Sequence, residues 1–158
     1  MLLAIDVGNT NTVFALCQSQ GDAEARIVAE WRIVTDGRRT ADQYFVWLSQ
    51  LMRHHWIDAD DVSAILIASV APETLFNLHT LAERYFNTRA MVIGDPGLDL
   101  GIAVKTDRPA EVGADRVVNA LAAHQSYGPD LIVLDFGTAT TFDIVDETGA
   151  YAGGVIAP

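Results

Sequence analysis

The chain has 158 residues and is half hydrophobic, so it holds enough apolar material for the core of one domain, or of one and a half. Its formal net charge of −11, from 10 Lys and Arg against 21 Asp and Glu, disfavours non-specific binding to nucleic acid or to anionic membranes. No apolar run approaches the ~20 residues of a membrane span, and no secretory signal opens the chain, so we expect a cytoplasmic protein. The single cysteine, Cys17, excludes an intrachain disulfide framework and a Cys-based zinc cluster.

Three antiparallel strands are predicted at the start of the chain. Apolar residues run together over 2–5 and 13–16, and they alternate with polar residues over 26–35. A polar turn is expected at 18–24, and Cys17 is expected to pack within the second strand rather than to react. The chain is therefore predicted to open as a β-meander.

Helices and buried strands are expected to alternate after this meander. Thr40 and Gln43 have the spacing of a capping box and predict a helix over 41–56. The elements expected next are strand 62–70, helix 72–86, strand 90–93, extended segment 101–106, helix 111–126 and a hairpin of 131–134 with 142–145. The residues expected on the inward faces of the first and last helices are Phe45, Leu48, Leu51 and Met52, and Val117, Val118, Leu121 and Ala122. This alternation predicts an α/β fold in which helices cover a mixed sheet.

One short motif occurs twice, each time at the turn of a predicted hairpin. Asp6 and Asp135 each follow an aliphatic run and precede an apolar residue, a glycine, and hydroxyl or amide side chains. Gly8 and Gly137 let the backbone approach a phosphate closely. The two carboxylates do not bind phosphate directly, so we expect them to hold cations. The alternative, two ordinary hairpins whose residues only shape turns and strands, explains a single copy better than it explains two.

The repeat also predicts how the chain is organised. Residues 1–128 are expected to form a first domain, and residues 129–158 the beginning of a second domain on the same plan. No linker composition separates them, so they are expected to share an interface with a cleft. On this interpretation a polypeptide that ended at Pro158 would be inactive and would expose apolar sheet.

A third motif, Gly113-Ala114-Asp115-Arg116, lies between the two copies. An Asp in the first turn of a helix is stabilised by the helix dipole, and a following Arg often pairs with an acid, so the motif has a purely structural explanation. The functional alternative uses the small size of Gly113 and Ala114, which leaves room for a ligand against the backbone. Asp115 is then placed to accept a hydroxyl proton, and Arg116 to hold an anionic group through its planar fork.

These motifs, in this order, resemble the type III pantothenate kinases. The segments that carry the resemblance are 6–10, 111–116, 135–141 and 153–158, with supporting similarity at 31–33, 39–42 and 69–72. The resemblance covers essentially the whole chain. That family belongs to the superfamily of acetate kinase, the sugar kinases, Hsp70 and actin, so the resemblance implies a ribonuclease H-like, duplicated actin-type ATPase fold with a mixed sheet and helices.

The resemblance implies an enzyme that phosphorylates pantothenate with ATP to give 4′-phosphopantothenate, the first step of coenzyme A synthesis. It implies Mg²⁺ near Asp6, a monovalent cation (K⁺ or NH₄⁺) at Asp135, Asp115 as the general base, and a homodimer. The ATP-binding residues that it implies are Asp6, Val7, Gly8, Asn9, Thr10, Asn11, Thr12, Val13 and Thr138. The substrate-binding residues that it implies are Thr106, Gly113, Ala114, Asp115 and Arg116.

The chain departs from the family's pattern at Thr106, where the family often has a tyrosine that contacts pantothenate. That contact is lost here, and Lys105 or Arg108 is expected to help hold the substrate carboxylate instead. Family members also continue well past Pro158, so parts of the nucleotide and substrate sites are expected beyond it.

Two other functions stay open on the sequence alone. One is a non-catalytic nucleotide-binding accessory or regulatory homologue. A binding module has no need for a base beside a cation site, so this alternative is disfavoured by the joint presence of Asp6, Asp115, Arg116 and Asp135. The other is a kinase of the same superfamily that acts on a sugar or a carboxylate. The motif at 113–116 disfavours this second alternative.

Overall fold

A computed structural model describes residues 1–20 and 23–157 of the chain. The chain forms two compact units, Met1–Ile93 and Gly94–Pro158. The polar turn expected at 18–24 lies partly outside the described residues. Among the helices of the described ranges, none is long and apolar enough to cross a membrane.

The first unit is built on a five-stranded mixed sheet. Its strands are β1 (Leu2–Val7), β2 (Asn11–Gln20), β3 (Ala23–Val34), β4 (Ala64–Ser69) and β5 (Ala90–Val92). The strand order is β3-β2-β1-β4-β5, with β1, β2 and β3 antiparallel, which confirms the predicted meander. β4 runs parallel to β1, and β5 runs parallel to β4. Cys17 is half-buried in β2, and this burial raises the pKa of its thiol, as expected for a packed cysteine.

Two helices, α1 (Ala41–Arg53) and α2 (Leu75–Tyr85), pack with this sheet around one apolar core. Short 3₁₀ turns at Ala59–Asp61 and Pro72–Thr74 precede β4 and α2. The sheet and helix residues that are almost completely buried in this core include Leu3, Ile5, Phe14, Leu16, Tyr44, Leu48, Met52, Ile65, Ile67, Leu78 and Leu81. The inward positions predicted for Leu48 and Met52 are confirmed, Phe45 and Leu51 are only partly buried, and Tyr44 is a core residue that the prediction did not include.

The two ends of α1 follow from local chemistry. Thr40 Oγ1 accepts a hydrogen bond from Gln43 N at 3.3 Å, and Gln43 Oε1 accepts one from Thr40 N at 2.9 Å, so the predicted capping box is confirmed. The helix ends three residues earlier than predicted because Trp56 has a left-handed backbone, with φ of 59°. Ile57 N then donates to Met52 O at 3.2 Å, a bond typical of a helix C-terminus.

The second unit is a three-stranded antiparallel sheet with one long helix. Its elements are α3 (Ala114–Tyr127), β6 (Leu131–Phe136), β7 (Thr140–Val145) and β8 (Tyr151–Ala157), with sheet order β6-β7-β8 and a 3₁₀ turn, Pro109–Glu111, before the helix. The extended segment expected at 101–106 is present as a parallel bridge between Val104 and Tyr151. Lys105 N donates to Tyr151 O at 2.8 Å beside this bridge.

The two faces of the second sheet differ in how they are covered. Val117 and Ala120 of α3 are buried, and Ala120 packs with Val145 and Tyr151. The inward position predicted for Ala122 is wrong, because two residues along a helix is a rotation of about 200° that turns Ala122 away from the face of Ala120. The opposite face of the sheet is apolar and exposed, with Ile132, Leu134, Phe136, Ile144 and Val155 each at least 45% exposed.

The division between the compact units falls at 93/94, before α3. The domain boundary predicted at 128/129 was placed where the repeated hairpin begins, and that hairpin does begin with β6. The first boundary separates regions by how compactly they pack, whereas the second marks where the repeated sequence pattern begins. The predicted domains therefore stay a prediction.

Candidate active site

The first copy of the repeated motif lies where β1 and β4 end side by side. These strands are parallel, with Val7 opposite Ser69, and Val70 N donates to Val7 O at 3.0 Å. The carboxyl ends of parallel strands form the edge at which open α/β sheets bind ligands. The chain turns there through residues 8–11 and then pairs with β1 as β2, from Thr12 onward. The predicted phosphate loop therefore lies at the ligand-binding edge of this sheet.

A chain of threonine hydrogen bonds fixes the shape of this first turn. Thr35 Oγ1 donates to Gly8 O at 2.8 Å, so the buried Thr12 is the donor in its own 2.9 Å bond with Thr35 Oγ1. Thr35 N donates to Thr10 O at 2.9 Å, and Gly8 N donates to Asn11 O at 3.0 Å. Sequence reasoning gave Thr35 no role. The available signal was a hydroxyl side chain placed directly after a strand.

The eight predicted ATP-binding residues at 6–13 all lie on this one corner. Asp6 is exposed between two buried neighbours on β1, and it pairs in register with Val13 of β2. A Cβ added at Gly8 would lie 3.2 Å from Asn11 O, so a larger residue would press on the turn. The corner thus presents an exposed carboxylate beside a compact glycine turn.

The second copy of the motif forms the turn between β6 and β7. Phe136 pairs with Thr140 across the hairpin, and three residues connect them. Gly137 N donates to Ala139 O at 3.0 Å within this connection. Thr138, the ninth predicted ATP-binding residue, lies exposed at the tip. The predicted strand–turn–strand form of the second copy is confirmed.

The two turns differ in length by one residue. In the first hairpin Val7 pairs with Thr12, so four residues connect the strands, against three between Phe136 and Thr140. When the two motifs are aligned at Asp6 and Asp135, Thr12 corresponds to Thr141. Strand pairing equates Thr12 with Thr140 instead, because both lie opposite the last residue of the preceding strand.

The acceptor motif forms the start of α3. Gly113 is the residue before the helix, and Ala114 and Asp115 are its first two residues. Asp115 is half-buried, and its Oδ1 accepts a hydrogen bond from Arg116 N at 2.8 Å. The same amide also donates to Gly113 O at 3.1 Å, and the helix dipole favours a negative charge in this first turn. The four residues of the motif are therefore in contact along one helical turn.

Asn119 connects α3 to the second corner. It lies one turn after Asp115 on the same helix face, and its Nδ2 donates to Asp135 Oδ2 at 3.4 Å. This contact brings two of the predicted site acids, Asp115 and Asp135, to one side of the second unit. Sequence reasoning gave Asn119 no role, although its spacing of four residues from Asp115 was a usable signal.

Arg116 is bound inside the second unit by a buried acid. Its Nε donates to Asp143 Oδ1 at 2.7 Å, and its Nη2 lies 2.6 Å from the same oxygen. Asp143 also accepts hydrogen bonds from Tyr151 Oη at 2.8 Å and from Thr141 Oγ1 at 3.0 Å. Burial, together with the hydrogen bond to Asp143, raises the pKa of Tyr151 to about 12. The acid partner that the structural explanation expects for Arg116 is therefore present.

Gly154 of β8 provides the room for this ion pair. A Cβ added there would lie 2.5 Å from Arg116 Nη2 and 2.7 Å from Asp143 Oδ1, and it would overlap Phe142 O. Real Cβ atoms do not approach other atoms within 3.0 Å. The second glycine of the Gly153-Gly154 pair is thus required by the packing of the network.

Thr106 and its neighbours are held in the segment before α3. Lys105 Nζ donates to Asp146 Oδ2 at 2.7 Å, a bond that holds the pKa of Asp146 below its usual range, and Arg108 Nη1 donates to Glu111 at 3.2 Å. Both cations expected to help with the substrate carboxylate therefore pair with acids. The Oγ1 atom of Thr106 is buried and has no hydrogen-bond partner within the described part of the chain.

Comparison with known proteins identifies the family. The family model described as type III pantothenate kinase matches residues 2–158. The chain belongs to the type III pantothenate kinase family. It is 58% identical over all 158 residues to the type III pantothenate kinase of Rhodospirillum rubrum and 54% identical to that of Rhizorhabdus wittichii. These alignments cover 60% and 59% of the two relatives, so the chain spans about three fifths of their length.

Solved structures confirm the predicted fold of this type III pantothenate kinase chain. A putative 2-dehydro-3-deoxygalactonokinase from Sinorhizobium meliloti matches 99% of the chain and 53% of its own length, with a TM-score of 0.58 and 16% identity. The Aquifex aeolicus Ppx/GppA phosphatase, type II variant, matches 99% of the chain and 51% of its own length, with a TM-score of 0.56 and 14% identity. At these identities the likeness shows the actin-type α/β fold alone.

The two corners can be tested against the cations that the sequence analysis expects there. Mg²⁺ keeps several waters and binds one or two carboxylates beside substrate phosphates, which suits the single exposed carboxylate of Asp6. Asp135 offers carboxylate oxygens, which suit a hard cation, and one of them also accepts a hydrogen bond from the NH2 group of Asn119. Within the described residues no three His, Cys, Asp or Glu side chains cluster as a metal cage.

Proposed function

We propose that the whole protein transfers the γ-phosphoryl group of ATP to the hydroxyl group of pantothenate and so makes 4′-phosphopantothenate, the first step of coenzyme A synthesis. Membership of the family and the names of its most similar relatives support this proposal. The single structural observation that carries it is the placement of Asp115, a half-buried carboxylate in the first turn of α3 behind two small residues.

Asp115 is the general base of the proposed reaction. It accepts the proton of the acceptor hydroxyl as the oxygen bonds to the γ-phosphorus, and the bond from that phosphorus to the bridging oxygen breaks to release ADP. Phosphoryl transfer has a loose transition state, so most of the acceleration comes from positioning and charge neutralisation. The base then contributes about 10²- to 10⁴-fold.

The two corners hold the nucleotide phosphates and their cations in this proposal. The backbone and side chains of residues 6–13, together with Thr138, contact the phosphates. Asp6 holds Mg²⁺, and Asp135 holds the monovalent cation, K⁺ or NH₄⁺. When bound, these ions neutralise charge that develops on the phosphate oxygens.

The acceptor is held by the start of α3 and the segment before it. Gly113 and Ala114 leave space at the backbone, Arg116 supplies donors, and Thr106 offers its buried hydroxyl, which has no partner among the described residues. We also propose that the whole protein is a cytoplasmic homodimer whose duplicated domains divide at 128/129.

An ADP-release assay on the whole protein tests the function. We expect turnover only when pantothenate, Mg²⁺ and K⁺ or NH₄⁺ are all present. Asp115→Asn is expected to lower kcat by about 10²- to 10⁴-fold, because the amide does not accept the proton. Asp60→Asn, a change at an exposed acid of the first unit, is the matched control and is expected to keep full activity. Equal ADP release without pantothenate, or full activity of Asp115→Asn, would refute the proposal.

A further inference from the structure

Asp143 is a fully buried acid for which neither the repeat nor the acceptor motif provides a role. Its carboxylate accepts hydrogen bonds from Arg116 Nε, Tyr151 Oη and Thr141 Oγ1 at 2.7, 2.8 and 3.0 Å. A buried carboxylate is strongly unfavourable unless it is paired and hydrogen-bonded, and Asp143 is both. Because these hydrogen bonds fix the carboxylate of Asp143, they also constrain the orientation of the Arg116 side chain that binds it.

Arg116 is held along one edge and has donor capacity left. Its side chain is only 16% exposed, and its guanidinium lies 5.9 Å from the centre of the Tyr151 ring. Nη2 is buried beside Asp143 and makes no aligned hydrogen bond to any residue in the described ranges, so the donors that remain for the acceptor are those of Nη1. Because a guanidinium carries five N–H donors in a fixed plane, fixing one edge also fixes the direction of the others.

The ion pair also sets the charge next to the proposed base. Asp143 cancels the positive charge of Arg116, which directly follows Asp115 in the helix. Without this partner, Arg116 would place an uncompensated positive charge next to Asp115. With Asp143 present, Arg116 offers hydrogen bonds to the acceptor without a net positive charge beside the base.

We propose that Asp143 is a positioning residue of the acceptor site: through Arg116 it directs guanidinium N–H groups at the acceptor, which it does not itself touch. This inference rests on the proposed function and adds a residue to it. Tyr151 and Thr141 hold Asp143 in turn, and Gly154 leaves the space for the pair.

Steady-state kinetics of Asp143→Asn in the whole protein provides the first test. The amide has nearly the shape of the acid but no charge, so Arg116 loses a charge-assisted hydrogen bond. We expect the KM for pantothenate to rise about 10- to 100-fold, while the KM for ATP stays within about twofold. The matched control is Asp42→Asn, another acid that binds an Arg and a Tyr, but in the first unit, and it is expected to leave both KM values unchanged.

A double-mutant cycle separates positioning from general damage to the fold. If Asp143 acts through Arg116, Asp143→Asn has no further effect on the KM for pantothenate in an Arg116→Gln background. A purely structural role predicts that the two effects add, and additivity would overturn the proposal. Thermal unfolding of each variant identifies any that fail to fold, and Tyr151→Phe then serves as a milder change to the same network.

Hydrogen exchange of the Arg116 Nε–H, followed by NMR, gives a readout that does not depend on turnover. Slow exchange in the wild-type protein that becomes fast in Asp143→Asn is expected. Unchanged exchange, or an unchanged KM for pantothenate in an active enzyme, would overturn the positioning role. A wild-type protein that exchanges slowly but never turns over pantothenate would instead refute the proposed function.

Discussion

Adding one methyl group at Gly154 is the most direct test of the buried network in the second unit. In Gly154→Ala the new Cβ would overlap Phe142 O and would lie 2.5 Å from Arg116 Nη2 and 2.7 Å from Asp143 Oδ1. The contact with Phe142 involves the backbone of the neighbouring strand, so a side-chain rotation does not relieve it. Either β8 moves away from β7, or the ion pair separates.

The size of the effect follows from these two routes. Overpacking of a well-packed site costs typically about 1–3 kcal/mol. Breaking a buried ion pair costs about 3–5 kcal/mol, because a charge is left without its partner. Since all three contacts are closer than the 3.0 Å that real Cβ atoms respect, we expect Gly154→Ala to lower the free energy of unfolding of the second unit by about 3 kcal/mol.

Hydrogen exchange of the β7 and β8 amides is the appropriate assay for Gly154→Ala. The three Trp residues, Trp31, Trp47 and Trp56, all lie in the first unit, so tryptophan fluorescence does not report on this sheet. Gly137→Ala is the matched control: its added Cβ would meet Ala139 O at 3.7 Å, an ordinary contact, and stability should change by less than about 1 kcal/mol. Wild-type protection of β7 and β8 in Gly154→Ala would refute the steric reasoning.

Three further predictions concern single residues in both units. Trp56→Gly should stabilise the first unit by about 1 kcal/mol, because Trp56 has φ of 59° and is 95% exposed; an unchanged urea midpoint in fluorescence would contradict this. Thr35→Val should destabilise the same unit by about 1–3 kcal/mol, since it removes the hydroxyl that binds Gly8 O and leaves buried Thr12 unpaired; a midpoint equal to wild type would argue against it. Because the pKa of Tyr151 rises from 10.0 to about 12 on folding, its contribution is complete below pH 10 and lost as the pH rises towards 12. Denaturant midpoints measured across that range should fall in the wild-type protein and fall less in Tyr151→Phe; parallel curves would show that this residue is not responsible.

Features set by neighbouring residues were predictable from the sequence. The capping box of Thr40 and Gln43 was predicted because it needs only a spacing of three residues and an apolar run. Both glycine turns were predicted for the same reason, as was the position of Asp115 in the first turn of a helix. Each of these signals is contained within a few residues, where the pattern decides the structure.

Features set by long-range contacts were not predictable from one sequence. Asp143 follows Arg116 by 27 residues, and Thr35 follows Gly8 by the same number, so nothing local distinguishes either partner. The exposed position of Ala122 was missed because the prediction treated α3 as a generic apolar stripe. Its true inward face depends on which side of the helix meets Val145 and Tyr151.

The difference in length between the two turns has a consequence for the history of the chain. If the hairpins descend from one ancestor, a single codon was gained or lost at the tip of one of them after the duplication. A change at a tip leaves every strand with its own partner and its own inward side chains, so the copies diverged there at the smallest structural penalty. The two copies are accordingly equivalent in their paired strands and differ in their turns.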